Sequence, residues 1–156
     1  MNSFRYLFLF LFISVATYGQ VDSSNKVHFF PIGLGYFYQN THTLDLFARV
    51  HYMAKKTVIS AAAGVNILLN KSTYIAPDVL FKIYKPTKFI RGWHNGVTLG
   101  ASYWLFQYLG KWDNRVTPEI GYSFHFVNIS YGYNIPLTNE SGIINRHRFA
   151  IRFNAF

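Results

Sequence analysis

From residue 21 onward, apolar and polar side chains alternate with a period of two, and no helical period of 3.6 competes with it. The alternation falls into eight segments, at 28 to 38, 43 to 53, 57 to 69, 73 to 84, 95 to 108, 115 to 125, 127 to 137 and 146 to 156. Turn-like breaks separate them at 39 to 42, 54 to 56, 70 to 72, 85 to 94 around Pro86, 110 to 114, 125 to 128 and 138 to 145. At eleven to fourteen residues, each segment is long enough for a tilted strand to cross a bilayer, which takes about nine to eleven.

Successive side chains on a strand point to opposite faces, so the parity of each segment sorts its residues by environment. The second segment puts Leu44, Leu46, Ala48, Val50 and Tyr52 on one face and Thr43, Asp45, Phe47, Arg49 and His51 on the other. The sixth sets Val116, Pro118, Ile120, Tyr122 and Phe124 against Arg115, Thr117, Glu119, Gly121, Ser123 and His125. Across all eight segments the apolar face carries no Asp, Glu, Lys or Arg. The polar face gathers Asp45, Arg49, His51, Asp78, Lys82, Arg115, Glu119, His125, Arg148 and Arg152. This is the candidate polar network.

Eight alternating strands fit two closed barrels, which differ in the face turned outward. A soluble barrel would show its polar face to water, yet that face includes Pro31, Gly33, Gly35 and Phe37, then Ser60, Ala62, Gly64 and Asn66, then Thr98, Gly100, Ser102 and Trp104. Such small and bulky uncharged residues suit the interior of a narrow barrel, which eight strands leave just wide enough for side chains to fill. Turned this way, the apolar face meets lipid and closure pairs every backbone polar group. The expected fold is therefore all-β: an eight-stranded antiparallel up-and-down transmembrane barrel.

Residues 1 to 20 read as a cleaved export signal, with Arg5 ahead of an apolar run from Leu7 to Val15 and small residues Ala16, Thr17 and Gly19 near the cleavage point. The expected organisation is a signal peptide over 1–20 and one barrel domain over 21–156. With 51% apolar and only 13% charged residues the chain is not of the disordered class. The absence of Cys removes disulfides, thiolate metal sites and a lipidated cysteine.

The signal peptide, the eight dyad-patterned strands, the aromatic-rich apolar face, the segment ISYGYNIPL and the ending FAIRFNAF together resemble the small eight-stranded bacterial outer-membrane β-barrel proteins. One feature departs from their C-terminal pattern. Counting back in twos from Phe156 gives Asn154, Arg152 and Ala150, whereas the apolar phase is Phe149, Ile151, Phe153 and Ala155. The resemblance implies location in the bacterial outer membrane, both termini on the periplasmic side, and outer-membrane lipid and the barrel-assembly machinery as partners. A membrane protein complex is a further expected partner.

The chemistry along the chain points away from catalysis. Glu119, Ser123 and His125 share a face of one strand at spacings of four and two, but Ser123 and His125 lie about 7 Å apart, from a ~3.4 Å rise per residue, too far for a nucleophile-to-base hydrogen bond. His147 has no evident acid in the sequence around it. The histidines show no metal-ligand spacing, so neither metal nor cofactor is expected. The net charge of +9 accompanies no nucleic-acid fold signature, and basic rims fit lipid phosphates better, so no nucleic acid is expected as a partner. The expected function is a non-enzymatic structural or interaction component of the outer membrane with a side-chain-filled lumen. A narrow porin-like solute or ion pore is the second reading and a lipid-modifying enzyme the third.

Overall fold

The computed structural model describes residues 25–54, 57–69, 73–90, 93–124, 126–138, 142 and 144–155. The expected signal peptide lies outside the described residues. Nine strand segments make eight staves: β1 (Asn25–Tyr38), β2 (His42–Ala54), β3 (Thr57–Leu69), β4 (Thr73–Ile90), β5 (Trp93–Tyr108), β6 (Lys111–Phe124), β7 (Val127–Tyr133) with its continuation β8 (Ile135–Pro136), and β9 (His147–Ala155). Each pairs antiparallel with its sequence neighbour, and β1 pairs with β9, closing the sheet. Among the described residues there is no helix, and the fold is an eight-stranded up-and-down barrel.

The register sets the barrel's girth. From Ile120, stepping sideways through Leu99, Ile83, Ile59 and Tyr52 reaches Val27 on β1. Stepping the other way through Tyr131 and Phe149 reaches Tyr38 on the same strand. The two ends lie eleven residues apart, one of them supplied by a bulge between Phe30 and Gly33. A stagger of this size on eight strands goes with a tilt of about 35–45° and an interior filled by side chains. Every residue of that circuit is apolar and exposed, or is an exposed tyrosine.

Prolines mark both register shifts: Pro31 lies inside the β1 bulge, and Pro86 adjoins the shift in β4. A residue without an N–H cannot hold the ladder, so the strand yields there. At Pro86 the expected break is replaced by a bulge, and β4 continues to Ile90, pairing with Trp93 at the start of β5. The expected break at 110 to 114 also shrinks. Leu109 (φ 49°) and Gly110 (φ 76°) make a two-residue reversal, and Lys111 already pairs with Tyr108. Positive φ at both central residues matches the twist of flanking strands, and this leaves Asp113 inside the barrel. The seventh expected strand is interrupted at Asn134, whose backbone N–H donates to the Arg146 carbonyl at 2.6 Å.

Burial runs opposite to that of a water-soluble domain. The fully buried side chains include Arg49, Arg115, Arg148, Arg152 and Lys82, while Leu99, Ile120, Phe81 and Phe149 each stand more than half exposed.

Candidate functional site

Glu119 on β6 is the centre of the interior. Its Oε2 lies 3.1 Å from Lys82 Nζ and accepts from Arg152 Nη1 at 2.8 Å and from the Ser130 hydroxyl at 3.0 Å. Its Oε1 accepts from Arg148 Nη2, from Arg152 Nη2 at 3.1 Å and from Ser102 at 3.5 Å. Three cations thus converge on one carboxylate. Arg152 also donates through Nε to Asp45 Oδ2 at 3.1 Å, linking a second acid to the network. Lys82 donates to Asn128 Oδ1 at 2.6 Å, and Asn128 donates to Thr98.

The register explains how staves that are not neighbours reach each other. Lys82, Gly100, Glu119, Gly132 and Arg148 form one continuous row across β4, β5, β6, β7 and β9. Both neighbours of Glu119 in that row are glycines, which opens the lateral path to Lys82 on one side and Arg148 on the other. A Cβ on Gly132 would come 2.7 Å from Thr117 Cγ2 and 3.2 Å from Glu119 Cγ, and one on Gly100 would collide with Lys82. Gly35 repeats the device between Asp45 and Arg152, where a Cβ would lie 3.0 Å from Asp45 Cβ and 3.1 Å from Arg152 Cγ. Each glycine is a gap through which an ion pair closes.

Aromatic rings complete the packing. Phe37, fully buried, lies under two guanidinium groups, with Arg152 at 4.5 Å and Arg148 at 4.8 Å from its centroid. Arg49 stacks on Phe47 at 4.5 Å and donates to the Tyr84 hydroxyl at 3.5 Å. His51 packs between Phe30 and Tyr84. Such contacts are stronger in a desolvated interior than at a surface.

Towards the end of the barrel where residues 144–146 lie, the interior turns apolar. Leu68, Ala76, Trp104, Phe106 and Ile144 cluster there, with Tyr74 and Tyr108 against them. Ile144 comes from that segment and folds inward, held by Arg115 Nη1 on its carbonyl at 3.1 Å. Asn134 ties the same segment down, donating to the Asn145 carbonyl at 2.7 Å and to Gln39 Oε1 at 3.1 Å. Arg115 also pairs with Asp113 through Nε at 2.8 Å and Nη2 at 2.9 Å.

Nine of the ten expected network residues, Asp45, Arg49, His51, Asp78, Lys82, Arg115, Glu119, Arg148 and Arg152, are buried on the inner face. His125 lies outside the described residues. Glu119 joins Lys82, Arg148 and Arg152, whereas Arg115 takes Asp113 instead. Asp113 was missed because the strand was started at Arg115. Its parity with Arg115, two residues on, is the signal that would have found it. All four acids among the described residues, Asp45, Asp78, Asp113 and Glu119, are therefore interior.

The geometry bears on the catalytic candidates. The Glu119 carboxylate is engaged by three cations and the hydroxyls of Ser102 and Ser130, with Ser123 buried four residues further along the strand. His147 is exposed and bonded to the Tyr131 hydroxyl, and no acid among the described residues shares its outer face. Among those residues, no group of three or more His, Asp or Glu side chains could hold a metal ion. The chain matches no family model, no curated protein and no solved structure.

Proposed function

We propose that this chain is a non-enzymatic, outer-membrane-spanning barrel whose interior is filled by its own side chains, serving as a structural or interaction component of that membrane. The observation that carries the reading is the inversion of the two faces. Nine consecutive residues, from Ile75 to Ile83 on β4 or from Val116 to Phe124 on β6, present only apolar or tyrosine side chains and proline outward. At a ~3.3 Å rise and a tilt near 40°, nine residues give a band on the order of 20–25 Å, matching the apolar belt of such barrels. Among residues whose side chains are described, the outward-facing bases lie outside these stretches: Lys85 follows Ile83 on β4, Lys111 starts β6 and Arg146 precedes β9. Water offers no reason to expose this belt; lipid does.

The filled interior supports a structural role over a pore. The Glu119 network occupies the middle of the barrel, and Trp104, Phe106 and Ile144 occupy the end where residues 144–146 lie. The test is refolding into lipid vesicles, followed by electrophoresis with and without heating and by planar-bilayer recording. The expected result is a band that shifts only on heating, with no sustained conductance. Recovery as a detergent-free soluble monomer would overturn the membrane reading, and stable ohmic channels would overturn the filled lumen in favour of the pore. An altered lipid composition on deletion of the protein, restored by wild type but not by Ser123→Ala, would move the function to a lipid-modifying enzyme.

A further inference from the structure

The outer surface carries one arrangement twice. Tyr36 and Tyr38 on β1 flank His42 on β2: the Tyr36 hydroxyl is hydrogen-bonded to His42 Nδ1, and the Tyr38 ring meets the imidazole edge-on at 5.7 Å. Tyr131 and Tyr133 on β7 flank His147 on β9 in the same way, with the Tyr131 hydroxyl 2.6 Å from His147 Nδ1 and the Tyr133 ring edge-on at 5.5 Å. The register joins the two units into one patch, since Tyr38 pairs with both His42 and Phe149, and Phe149 pairs with Tyr131. Two strand spacings of ~4.8 Å and two residues of ~3.4 Å put the imidazoles on the order of 12 Å apart. Arg146 is exposed beside them, its Nη1 3.5 Å from the Tyr133 hydroxyl.

An aromatic belt at a membrane interface needs only rings with a polar tip. Two tyrosines that each bond a histidine do something more, because the bond at Nδ1 holds each imidazole in one orientation. The patch then offers two held imidazoles and a guanidinium. That set complements an anion rich in acceptor oxygens. We propose that Arg146 and His147 together bind the phosphate of a lipid headgroup, with His42, about 12 Å away and so beyond the reach of the same phosphate, set to meet a second one. The site rests on the membrane reading, which places these residues at the level where lipid phosphates lie.

The test uses the folded chain in a neutral maltoside detergent, titrated with short-chain phosphatidic acid or with diacylglycerol of the same acyl length, counting bound lipid by native mass spectrometry. Phosphatidic acid is expected to bind at least tenfold better than diacylglycerol. Arg146→Gln with His147→Gln is expected to lose about tenfold, and Tyr131→Phe, which keeps the ring but frees the imidazole, several-fold. Lys111→Gln, another exposed base at the same end, is expected to change binding less than twofold. Heat-shifted mobility in every variant shows that the barrel is intact, so a loss of binding is a loss of the site. Equal binding of the two lipids, an equal loss with Lys111→Gln, or displacement by inorganic phosphate at the lipid's own concentration would overturn the proposal. If the chain proves soluble without detergent the membrane reading fails separately, and the same titration below the lipid's micellar concentration still decides the site.

Discussion

Replacing Glu119 by Ala should open the barrel's interior network at its centre. The substitution leaves Lys82 and Arg148 without their acid and Arg152 with Asp45 alone. A pair of unit charges about 4 Å apart is worth roughly 4 kcal/mol at an effective dielectric of 20, before the opposing desolvation of each ion. Breaking one buried pair costs roughly 3 to 5 kcal/mol, because the surviving charge stays buried and uncompensated. With three cations affected, a loss of at least ~3 kcal/mol is expected, about a hundredfold in the folded-to-unfolded ratio. A urea dependence of about 1–3 kcal/mol per molar turns this into a midpoint lowered by roughly 1–3 M. Glu119→Gln keeps the volume and one accepting oxygen, so its midpoint should fall between those of Ala and wild type. Adding Lys82→Met to Glu119→Ala should recover part of the loss, since it removes one stranded charge. The assay is reversible urea unfolding in vesicles, followed by tryptophan fluorescence and by heat-shifted mobility. An unchanged midpoint in Glu119→Ala would refute the network as the source of stability and give weight to Glu119 as a functional charge.

Three further outcomes follow from particular contacts. Gly132→Ala should destabilise by about 1–3 kcal/mol through overpacking, and Thr117→Ser, which removes the methyl that the new Cβ would strike, should restore part of it in the same urea assay. Leu99→Lys, on the middle of the outer face, should cost roughly 2–4 kcal/mol in vesicles, whereas on a soluble barrel it would leave stability almost unchanged and improve solubility. Asp113→Ala should cost about 3 kcal/mol by stranding Arg115, and Asp113→Leu with Arg115→Met should recover most of it. Failure of the double variant to recover would show that Arg115 acts mainly through the Ile144 carbonyl.

Much of this architecture was legible because a period of two permits only two faces, and the faces differ so sharply in charge. The parity of Asp45, Lys82, Glu119 and Arg152 placed them together inside before any pairing was known. Their partnerships were less legible, since these depend on register: Lys82 meets Glu119 only because β4, β5 and β6 align Lys82, Gly100 and Glu119 in one row. The glycines were read as interior filler, and their role between ion-pair partners emerges only when the rows are known. Strand ends at Lys111 and Ile90 were misplaced for a common reason: charged and proline-containing stretches look like loops until an inward acid such as Asp113 or a bulge at Pro86 accommodates them. Phe37, on the polar parity of β1, has its explanation only in the two guanidiniums stacked on it.

In the proposed membrane-spanning barrel the apolar face meets lipid and the polar face meets only the barrel's own interior. The chain has no cysteine, so single cysteines can be placed at will and carry a nitroxide label. Labels at Ile120, Tyr122, Leu99 and Ile83 should, in bilayers, collide readily with dissolved oxygen and rarely with a polar nickel chelate. A label at Ser123, the inward-facing neighbour of Tyr122 on β6, should be shielded from both. Free access of the nickel chelate to Ile120 and Leu99 would contradict the account, since it would place water where the membrane belongs.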